Sequence, residues 1–219
     1  MTVKQIFEGV YSIDGKLATV NLTKGKKAYT EELVTLDGTE YRLWNPYRSK
    51  LAVSIMRGLK TFAFGKKSNV LYLGAATGTT SSHVSDIVGA DGRVYAVEIS
   101  EKCMRTLVEV CETRENMIPI LADAREVEKY SDVVDVCDIM YQDVSARDQA
   151  EILLKNSRFL KKNGYAYFAI KSQSIDVSKD PEEIYKGELD RLEGTFSVIE
   201  TMSLEPYDSL HLFVVLKKL

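Results

Sequence analysis

An aspartate and a lysine each follow a strongly apolar segment in the second half of the chain. Asp143 comes after VVDVCDIMYQ, and Lys171 comes after YAYFAI. If both segments are strands of one sheet, both side chains emerge at the rim of the same crevice. A lysine partly shielded from water can have a lowered pKa, and a nearby carboxylate can accept a proton or orient a hydroxyl group. The pair therefore indicates acid–base chemistry, with an ion pair at the edge of the core as the alternative.

A loop of small residues precedes this pair in the chain. Gly74 and Gly78 bracket it in LGAATGTT, between an apolar run and a helical pattern. Small residues let a ligand approach the backbone, and the start of a helix offers free N–H groups. Thr79 and Thr80 add hydroxyl groups and are expected to cap the helix. The loop matches neither GxxxxGK[ST] nor GxGxxG, so a plain strand-to-helix turn is the alternative.

Two acidic residues end the next two apolar segments. Glu98 lies twenty residues beyond Gly78, where nucleotide-binding α/β domains place the acceptor of ribose hydroxyl groups. Together with the glycine loop, Glu98 favours an adenosine-type ligand. The alternative is that Glu98 is a surface carboxylate that binds no ligand. Asp123 follows the third segment and could bind an adenine amino group or cap a short turn.

The elements that must position these residues alternate between strands and helices from residue 69 onward. Nearly continuous apolar strands are typical of a parallel sheet covered on both faces. The chain ends differently, because TFSVIETMSLEP and SLHLFVVLKK flank a turn at Pro206 and Asp208, which predicts an antiparallel pair. The strands are predicted in NVLYLG, RVYAVEIS, MIPILAD, VVDVCDIMYQDV and YAYFAIK, and the helices near 79–88, 100–114, 146–161 and 181–193.

The first 44 residues follow another pattern. Asp14-Gly15 and Asp37-Gly38 each stand between alternating apolar residues. Asp-Gly suits a type I′ turn because both central residues need a positive φ. We therefore predict a small antiparallel β domain over residues 1–45 and an α/β domain over 46–219, beginning with a helix that ends near Gly65.

Composition excludes several classes of protein. The 219 residues are 45% hydrophobic and carry a net charge of −3, which excludes a wholly basic nucleic-acid binder. The segment from Arg42 to Ser85 holds seven basic residues and no acidic one, leaving −10 elsewhere; it is either a phosphate-binding face or a solvated surface. These basic residues are Arg42, Arg48, Lys50, Arg57, Lys60, Lys66 and Lys67.

The cysteines and the apolar runs indicate the cellular compartment of the protein. Cys103, Cys111 and Cys137 form no CxxC or Cys/His ligand spacing, so we expect buried reduced thiols and no metal site. The sequence has neither an apolar run of about 20 residues nor an export signal at its start, and a cytoplasmic protein is expected.

At this point a resemblance to a known family is close. VLYLGAATGTTSSHVSDIVGADGRVYAVEIS resembles the cofactor motif of the fibrillarins, S-adenosylmethionine-dependent RNA 2′-O-methyltransferases. NPYRSKLAVSI, LADAR, QDVSARDQ, AIKSQSID and LEPYDSLHLFVV are similar to that family in matching order, over nearly the whole chain. A Gly/Arg-rich N-terminal extension of the eukaryotic members is absent, which indicates the archaeal form.

The resemblance implies a fold, a cofactor and a setting. The fold is a doubly wound, Rossmann-like methyltransferase sheet of seven strands, the last of them antiparallel, and the cofactor is S-adenosylmethionine. The setting is a C/D box ribonucleoprotein in the archaeal cytoplasm. Its other components are a Nop-domain scaffold protein, a kink-turn-binding ribosomal-type protein and a guide RNA that pairs with target rRNA or tRNA.

The resemblance also implies the site residues. The family's Lys-Asp-Lys-His tetrad falls on Lys50, Asp143, Lys171 and His211, although a lone His in a strand is by itself more often structural. We expect Lys171 and Asp143 to orient the ribose hydroxyl and help remove its proton, and Lys50 and His211 to shape the local charge. The implied cofactor contacts are Gly74, Ala75, Gly78, Thr79, Thr80, Glu98, Ile99, Asp123, Ala124, Asp143 and Val144.

The sequence departs from the family at two of these places. Ile99 stands where many members have Phe, so aromatic packing on adenine is lost. Ala146 stands where many have Gln, which puts a glutamine contact there in doubt. Two alternatives remain: an NAD-dependent Rossmann oxidoreductase, and a non-catalytic RNA-assembly module, which retention of all four tetrad residue types disfavours.

Overall fold

A computed structural model describes residues 2–219. The N-terminal part forms an antiparallel sheet with strand order β1-β2-β3-β5-β4. Both predicted hairpin turns are confirmed, since φ is 48° at Asp14 and Asp37, and 84° and 79° at the glycines that follow them. The strands are β1 (Val3–Phe7), β2 (Val10–Ile13), β3 (Lys16–Val20), β4 (Leu33–Leu36) and β5 (Thr39–Leu43).

The remaining strands form one seven-stranded sheet in the order β11-β12-β10-β9-β6-β7-β8. The last strand runs antiparallel to both of its neighbours, and the other pairs are parallel, as predicted. The strands are β6 (Asn69–Leu73), β7 (Arg93–Glu98), β8 (Met117–Leu121), β9 (Cys137–Gln142), β10 (Leu160–Lys171), β11 (Phe196–Ser203) and β12 (His211–Lys218).

Both faces of this sheet are buried. Successive residues of β6 belong alternately to two hydrophobic clusters, with Val70 and Tyr72 in one and Leu71 and Leu73 in the other. This alternation explains the nearly continuous apolar strands of the sequence. The faces are covered by α1 (Lys50–Met56), α2 (Thr79–Val88), α3 (Glu101–Glu112), α4 (Gln149–Asn156), α5 (Ser172–Ile175) and α6 (Pro181–Leu192).

Two helices are shorter than predicted. Helix α1 ends at Met56 rather than near Gly65, because Gly58 takes a φ of 95°, which a continuing α-helix does not allow. Helix α4 ends at Asn156 and passes through a 3-10 turn over Ser157–Phe159. Strand β10 begins directly afterwards because Leu160 pairs with Cys137 of β9.

A buried ion cluster joins the small sheet to α2. The Arg42 guanidinium contacts Glu31 and Asp86, each at 2.7 Å, and Arg114 contacts the other Asp86 oxygen at 2.6 Å. All four side chains are at most 1% exposed. Arg42 therefore cannot belong to an RNA-binding face, which corrects the expectation for the basic segment. His83 is buried beside this cluster.

His83 is held by aromatic and hydroxyl groups. Its ring stacks on Trp44 with 4.6 Å between the centroids. The hydroxyl groups of Thr19 and Tyr29 lie 2.8 Å from Nδ1 and Nε2, respectively. Burial is the main cause that holds the pKa of His83 well below its usual value, and the charges of Arg42 and Arg114 act in the same direction.

The cysteines are less buried than expected. Only Cys137 is buried, whereas Cys103 and Cys111 are half-buried on α3, where Cys111 packs against the edge of the core. Burial raises the pKa of Cys111 and of Cys137 to about 12. Among residues 2–219 no group of three His, Cys, Asp or Glu side chains could hold a metal ion. No helix in that range is long and apolar enough to cross a membrane.

Candidate active site

The glycine loop meets the exit of β9 at very short range. Gly74 has a φ of 82°, and a Cβ atom there would lie 2.7 Å from the carbonyl oxygen of Asp143. The Asp143 N–H donates to the carbonyl of Leu73 at 3.0 Å. Only glycine allows both this conformation and this approach. The loop after β6 and the residue after β9 thus share one edge of the sheet.

The end of the loop differs from the prediction in one respect. Thr79 and Thr80 are the first two residues of α2 and do not cap it; the N-cap is Gly78, which has no side chain to cap with. The Thr80 hydroxyl instead donates to Ser49 Oγ at 3.0 Å. Ser49 Oγ accepts from the N–H of Ala52 and so caps α1, whose first residue is Lys50.

A cleft of about 290 Å³ opens at this edge, beside the exits of β6, β7, β8, β9 and β10. The Glu98 side chain fixes one of its walls, accepting from the N–H groups of Ala76 at 2.8 Å and Ser100 at 2.7 Å. Each carboxylate oxygen has a further lone pair for a ligand hydroxyl. The cleft is lined by Gly74, Ala76, Val97, Glu98, Ile99, Ala122, Asp123, Ala124, Arg125, Asp143, Val144, Ser145, Ala146, Ile152 and Lys171.

Asp123 lies in a hydrogen-bonded turn two residues after the end of β8. Its Oδ1 accepts from the N–H of Arg125 at 2.9 Å, so the turn-capping alternative is observed. The Arg125 side chain then bridges Asp123 at 3.1 Å and Asp148 at 2.8 Å. Hydrogen bonding to Asp148 is the main cause that raises the pKa of Arg125, and it lowers the pKa of Asp148 in turn. The sequence reasoning missed this arginine.

Asp143 lies between two lysines. Lys171 Nζ contacts Asp143 Oδ1 at 2.8 Å, the Asp143 carbonyl at 2.9 Å and Ser145 Oγ at 3.1 Å. Lys50 Nζ lies 3.2 Å from Oδ1 and 3.3 Å from Oδ2 of the same carboxylate. The three side chains are less than one-fifth exposed. The cleft and the lysine pair therefore share one residue, Asp143.

Asp208 extends the cluster to His211. One carboxylate oxygen of Asp208 lies 3.2 Å from Lys50 Nζ, and the other lies 2.8 Å from His211 Nδ1. Burial lowers the pKa of His211, and its acceptor partners only partly oppose this. Burial also acts to lower the pKa of Lys50, but Asp143 and Asp208 outweigh it and the pKa is raised.

Sequence reasoning placed Asp208 in a turn and gave it no role. The signal that could have revealed it is a carboxylate three residues before a histidine at the start of a strand.

A buried amide holds the backbone beneath the cluster. Gln149 Oε1 accepts from the N–H of Lys171 at 3.0 Å, while its Nε2 donates to the carbonyls of Ala146 and Lys171. Gln149 is completely buried. It fixes the exits of β9 and β10 relative to one another, so it positions Lys171 without touching the cleft.

The predicted residues separate into two groups. Lys50, Asp143, Lys171 and His211 are brought together, and seven of the predicted cofactor contacts line the cleft. The four others are buried and are not among the described residues that line the cleft: Ala75 and Gly78 in the loop, and Thr79 and Thr80 in the first turn of α2. Ile99 is 61% exposed at the cleft wall.

The sheet order with its reversed last strand, the glycine loop after the first parallel strand and the acid after the second define a Rossmann-like methyltransferase. The chain belongs to the fibrillarin family, because the Fibrillarin family model matches residues 1–218.

Individual members of the family match this chain over nearly its whole length. The chain is 46% identical to the fibrillarin-like rRNA/tRNA 2′-O-methyltransferase of Methanocaldococcus jannaschii, over 97% of this chain and 95% of that protein. It superposes on Aeropyrum pernix fibrillarin, solved with natively bound S-adenosyl-L-methionine, with a TM-score of 0.91 and 41% identity over 99% and 98% of the two chains. For a fibrillarin/Nop5p complex the TM-score is 0.89, with 40% identity over 99% and 100%.

Proposed function

We propose that the protein transfers a methyl group from S-adenosylmethionine to the ribose 2′-hydroxyl of a guide-selected nucleotide in rRNA or tRNA. The observation that supports this proposal most strongly is that Asp143 contacts both the cleft and the lysine pair. Its backbone packs on the glycine loop of the cleft, and its carboxylate lies between Lys50 and Lys171. A methyl donor in the cleft and a hydroxyl group at the lysines would meet at this residue.

The residues of the cleft fit this cofactor. Gly74 leaves the backbone open, and the Glu98 carboxylate can accept from two ribose hydroxyl groups. Ala124 and Ile99 offer apolar contact for a base, and Asp123 a carboxylate for its amino group. S-adenosylmethionine supplies a methyl group on a sulfonium, which is a good leaving group. The loop has no lysine of the P-loop type, and this cofactor brings no phosphate that would need one.

Lys171 and Asp143 orient the ribose hydroxyl. The lysine ammonium is held by three acceptors and the carboxylate by two ammonium groups, so neither side chain swings freely. Such fixed groups align the hydroxyl oxygen with the methyl carbon, which reaction requires at about 3–3.5 Å. Lys50 sets the local charge from the first residue of α1.

The RNA is placed largely by partners. A relative forms a complex with Nop5p, and we infer a Nop-domain scaffold here as well, within a C/D box ribonucleoprotein of the archaeal cytoplasm. A kink-turn-binding protein would join indirectly through the guide RNA. With Arg42 buried, the candidates for phosphate contacts are the exposed cations of the same segment, namely Arg48, Arg57, Lys60, Lys66 and Lys67. Binding by so few cations is weak and salt-sensitive.

Transfer of labelled methyl to guide-paired RNA in the reconstituted complex tests this proposal. We expect incorporation at one nucleotide and none when that nucleotide is 2′-deoxy. Equilibrium dialysis of the chain with S-adenosylmethionine and with NAD separates a methyltransferase from an oxidoreductase. Cofactor binding without any transfer would favour the assembly module, and efficient transfer by the isolated chain would contradict the role of partners.

A further inference from the structure

We infer that His211, through its Nε2 atom, accepts the proton of the ribose hydroxyl, and that Asp208 is the positioning residue that makes this possible. This inference rests on the proposed methyl transfer. Residue types alone do not show which of Lys50, Asp143, Lys171 and His211 accepts the proton, and the inference assigns that role to His211.

The hydrogen bonds of His211 fix its tautomer. Nδ1 lies 2.7 Å from the carbonyl oxygen of Ser209 and 2.8 Å from a carboxylate oxygen of Asp208. A carbonyl oxygen can only accept, so Nδ1 carries a proton. In the neutral imidazole Nε2 then keeps its lone pair, which makes it a proton acceptor.

The other members of the cluster are already engaged. An ammonium group has no lone pair, and Lys171 Nζ is held by hydrogen bonds to the Asp143 carbonyl and Ser145 Oγ and by its ion pair with Asp143 Oδ1. Lys50 contacts two carboxylates, and both oxygens of Asp143 contact ammonium groups. Of the five side chains, His211 alone has a neutral nitrogen with a lone pair, and with an ordinary pKa of about 6.5 it is a stronger base than the carboxylates, for which the ordinary value is about 3.9.

His211 is also within reach of the reacting edge. It is the direct cross-strand partner of Lys171 in the β10–β12 pair, so their side chains share one face of the sheet. The ring is about one-fifth exposed. The charged groups around it are Asp208 from its own turn, Lys50 from α1, Asp143 from the end of β9 and Lys171 from β10.

With a neutral His211 the cluster holds two ammonium groups and two carboxylates in alternating order. The 2′-oxygen forms a bond to the methyl carbon while the bond from that carbon to sulfur breaks, its electron pair staying on sulfur. The O–H bond breaks and its proton goes to Nε2. The imidazolium formed is stabilised by Asp208 and later returns the proton to solvent.

The tautomer can be measured without any turnover. The chain has two histidines, His83 and His211, so ¹⁵N-histidine labelling gives two ring systems, and a His211→Ala spectrum assigns them. We expect long-range ¹H–¹⁵N correlations of His211 to report a protonated Nδ1 and an unprotonated Nε2 at pH 7.5. A protonated Nε2 in the neutral ring would overturn the inference. This measurement stands even if no methyl transfer is found.

Kinetics test the role of Asp208. We expect the single-turnover rate of the reconstituted wild-type complex to rise with pH to a plateau, with a midpoint below about 6.5. Asp208→Asn keeps an acceptor for Nδ1–H but removes the charge that stabilises the imidazolium. It should move the midpoint to lower pH and reduce the plateau by roughly tenfold, the effect of one pKa unit. Glu205→Gln, an exposed carboxylate of the same turn, is the matched control and should change neither quantity.

His211→Ala should reduce the plateau by about 10²–10⁴-fold. Added imidazole should restore part of it, which a structural role would not allow. Wild-type rates and pH dependence in His211→Ala would sink the assignment. If wild-type chain binds no S-adenosylmethionine, the proposed function fails instead, and the spectrum still decides the tautomer.

Discussion

The carbonyl oxygen of Asp143 occupies the space that a side chain on Gly74 would need. A Cβ atom on Gly74 would lie 2.7 Å from that oxygen and 3.0 Å from the carbonyl carbon. Backbone atoms cannot rotate away as a flexible side chain can. The glycine therefore matters less as a flexible residue than as a gap, because it lets the proposed cofactor loop and the proposed catalytic aspartate lie in contact.

Gly74→Ala should lose cofactor binding as well as stability. A positive φ costs an L-residue about 1–2 kcal/mol, and displacement of Asp143 comes in addition. Gly194→Ala is the matched control, because its φ of 80° carries the same strain and a Cβ there meets nothing within 4 Å. Urea unfolding compares the stabilities of the two variants, and equilibrium dialysis compares their affinities for S-adenosylmethionine. Wild-type cofactor affinity in Gly74→Ala would contradict the importance of this contact.

Lys171→Ala and Asp143→Ala should cripple methyl transfer while the chain still folds. Each removes a group that orients the hydroxyl, and the expected loss is about 10²–10⁴-fold in single-turnover rate. Lys161→Ala serves as the control, because Lys161 lies at the other end of β10 and pairs with Asp138 on the surface. Circular dichroism checks the folding, and transfer at wild-type rates by either variant would remove it from the proposed site.

The stability should decrease as the pH falls below about 6.5. Burial lowers the pKa of His83, so over this range the unfolded chain takes up a proton that the folded chain cannot. The free energy of unfolding then falls with a slope of up to about 1.4 kcal/mol per pH unit for this one group. His211, whose pKa is also lowered, acts in the same direction.

Urea unfolding between pH 7.5 and 5 measures this slope. His83→Asn should flatten it even though the variant is less stable throughout. An equal slope in wild type and His83→Asn would show that His83 is not the residue responsible.

Asp86→Ala should be among the most destabilising substitutions of an ion-paired residue. It leaves the guanidinium groups of Arg42 and Arg114 buried without a shared partner, and breaking such a buried pair typically costs about 3–5 kcal/mol. Lys186→Ala removes an exposed pair with Asp190 and should cost about 0.3–0.5 kcal/mol. If urea unfolding showed similar losses of stability for the two variants, the buried ion cluster would not stabilise the fold as proposed.

The parallel sheet could be predicted because its strands have a strong signal. Residues such as Val70 and Leu71 face opposite sides, and both sides are buried, so the strand is almost continuously apolar. Helix ends were predicted less well. The segment after Met56 keeps an apolar spacing, and only the conformation of Gly58 ends the helix there.

Some site residues could likewise be predicted from the sequence, and others could not. Lys50, Asp143, Lys171 and His211 could be proposed because the family resemblance carries their positions. Asp208 could not, because its role depends on two distances, to Lys50 and to His211, that only the folded turn sets. Likewise Arg42 counts as a cation in the sequence, and its burial against Glu31 and Asp86 depends on contacts between distant segments.

The reversed direction of β12 has a practical consequence. The strand begins with His211 at the proposed catalytic edge and ends at Lys218, whose ammonium group donates to the carbonyls of Ser157 and Leu160 at the opposite edge. An affinity tag or fluorophore attached after Leu219 would project from that opposite edge, leaving the proposed RNA-facing edge free. The same label inserted between Leu204 and Leu210 would separate Asp208 from its partners. Surface immobilisation for RNA-binding measurements should therefore use the C-terminal position.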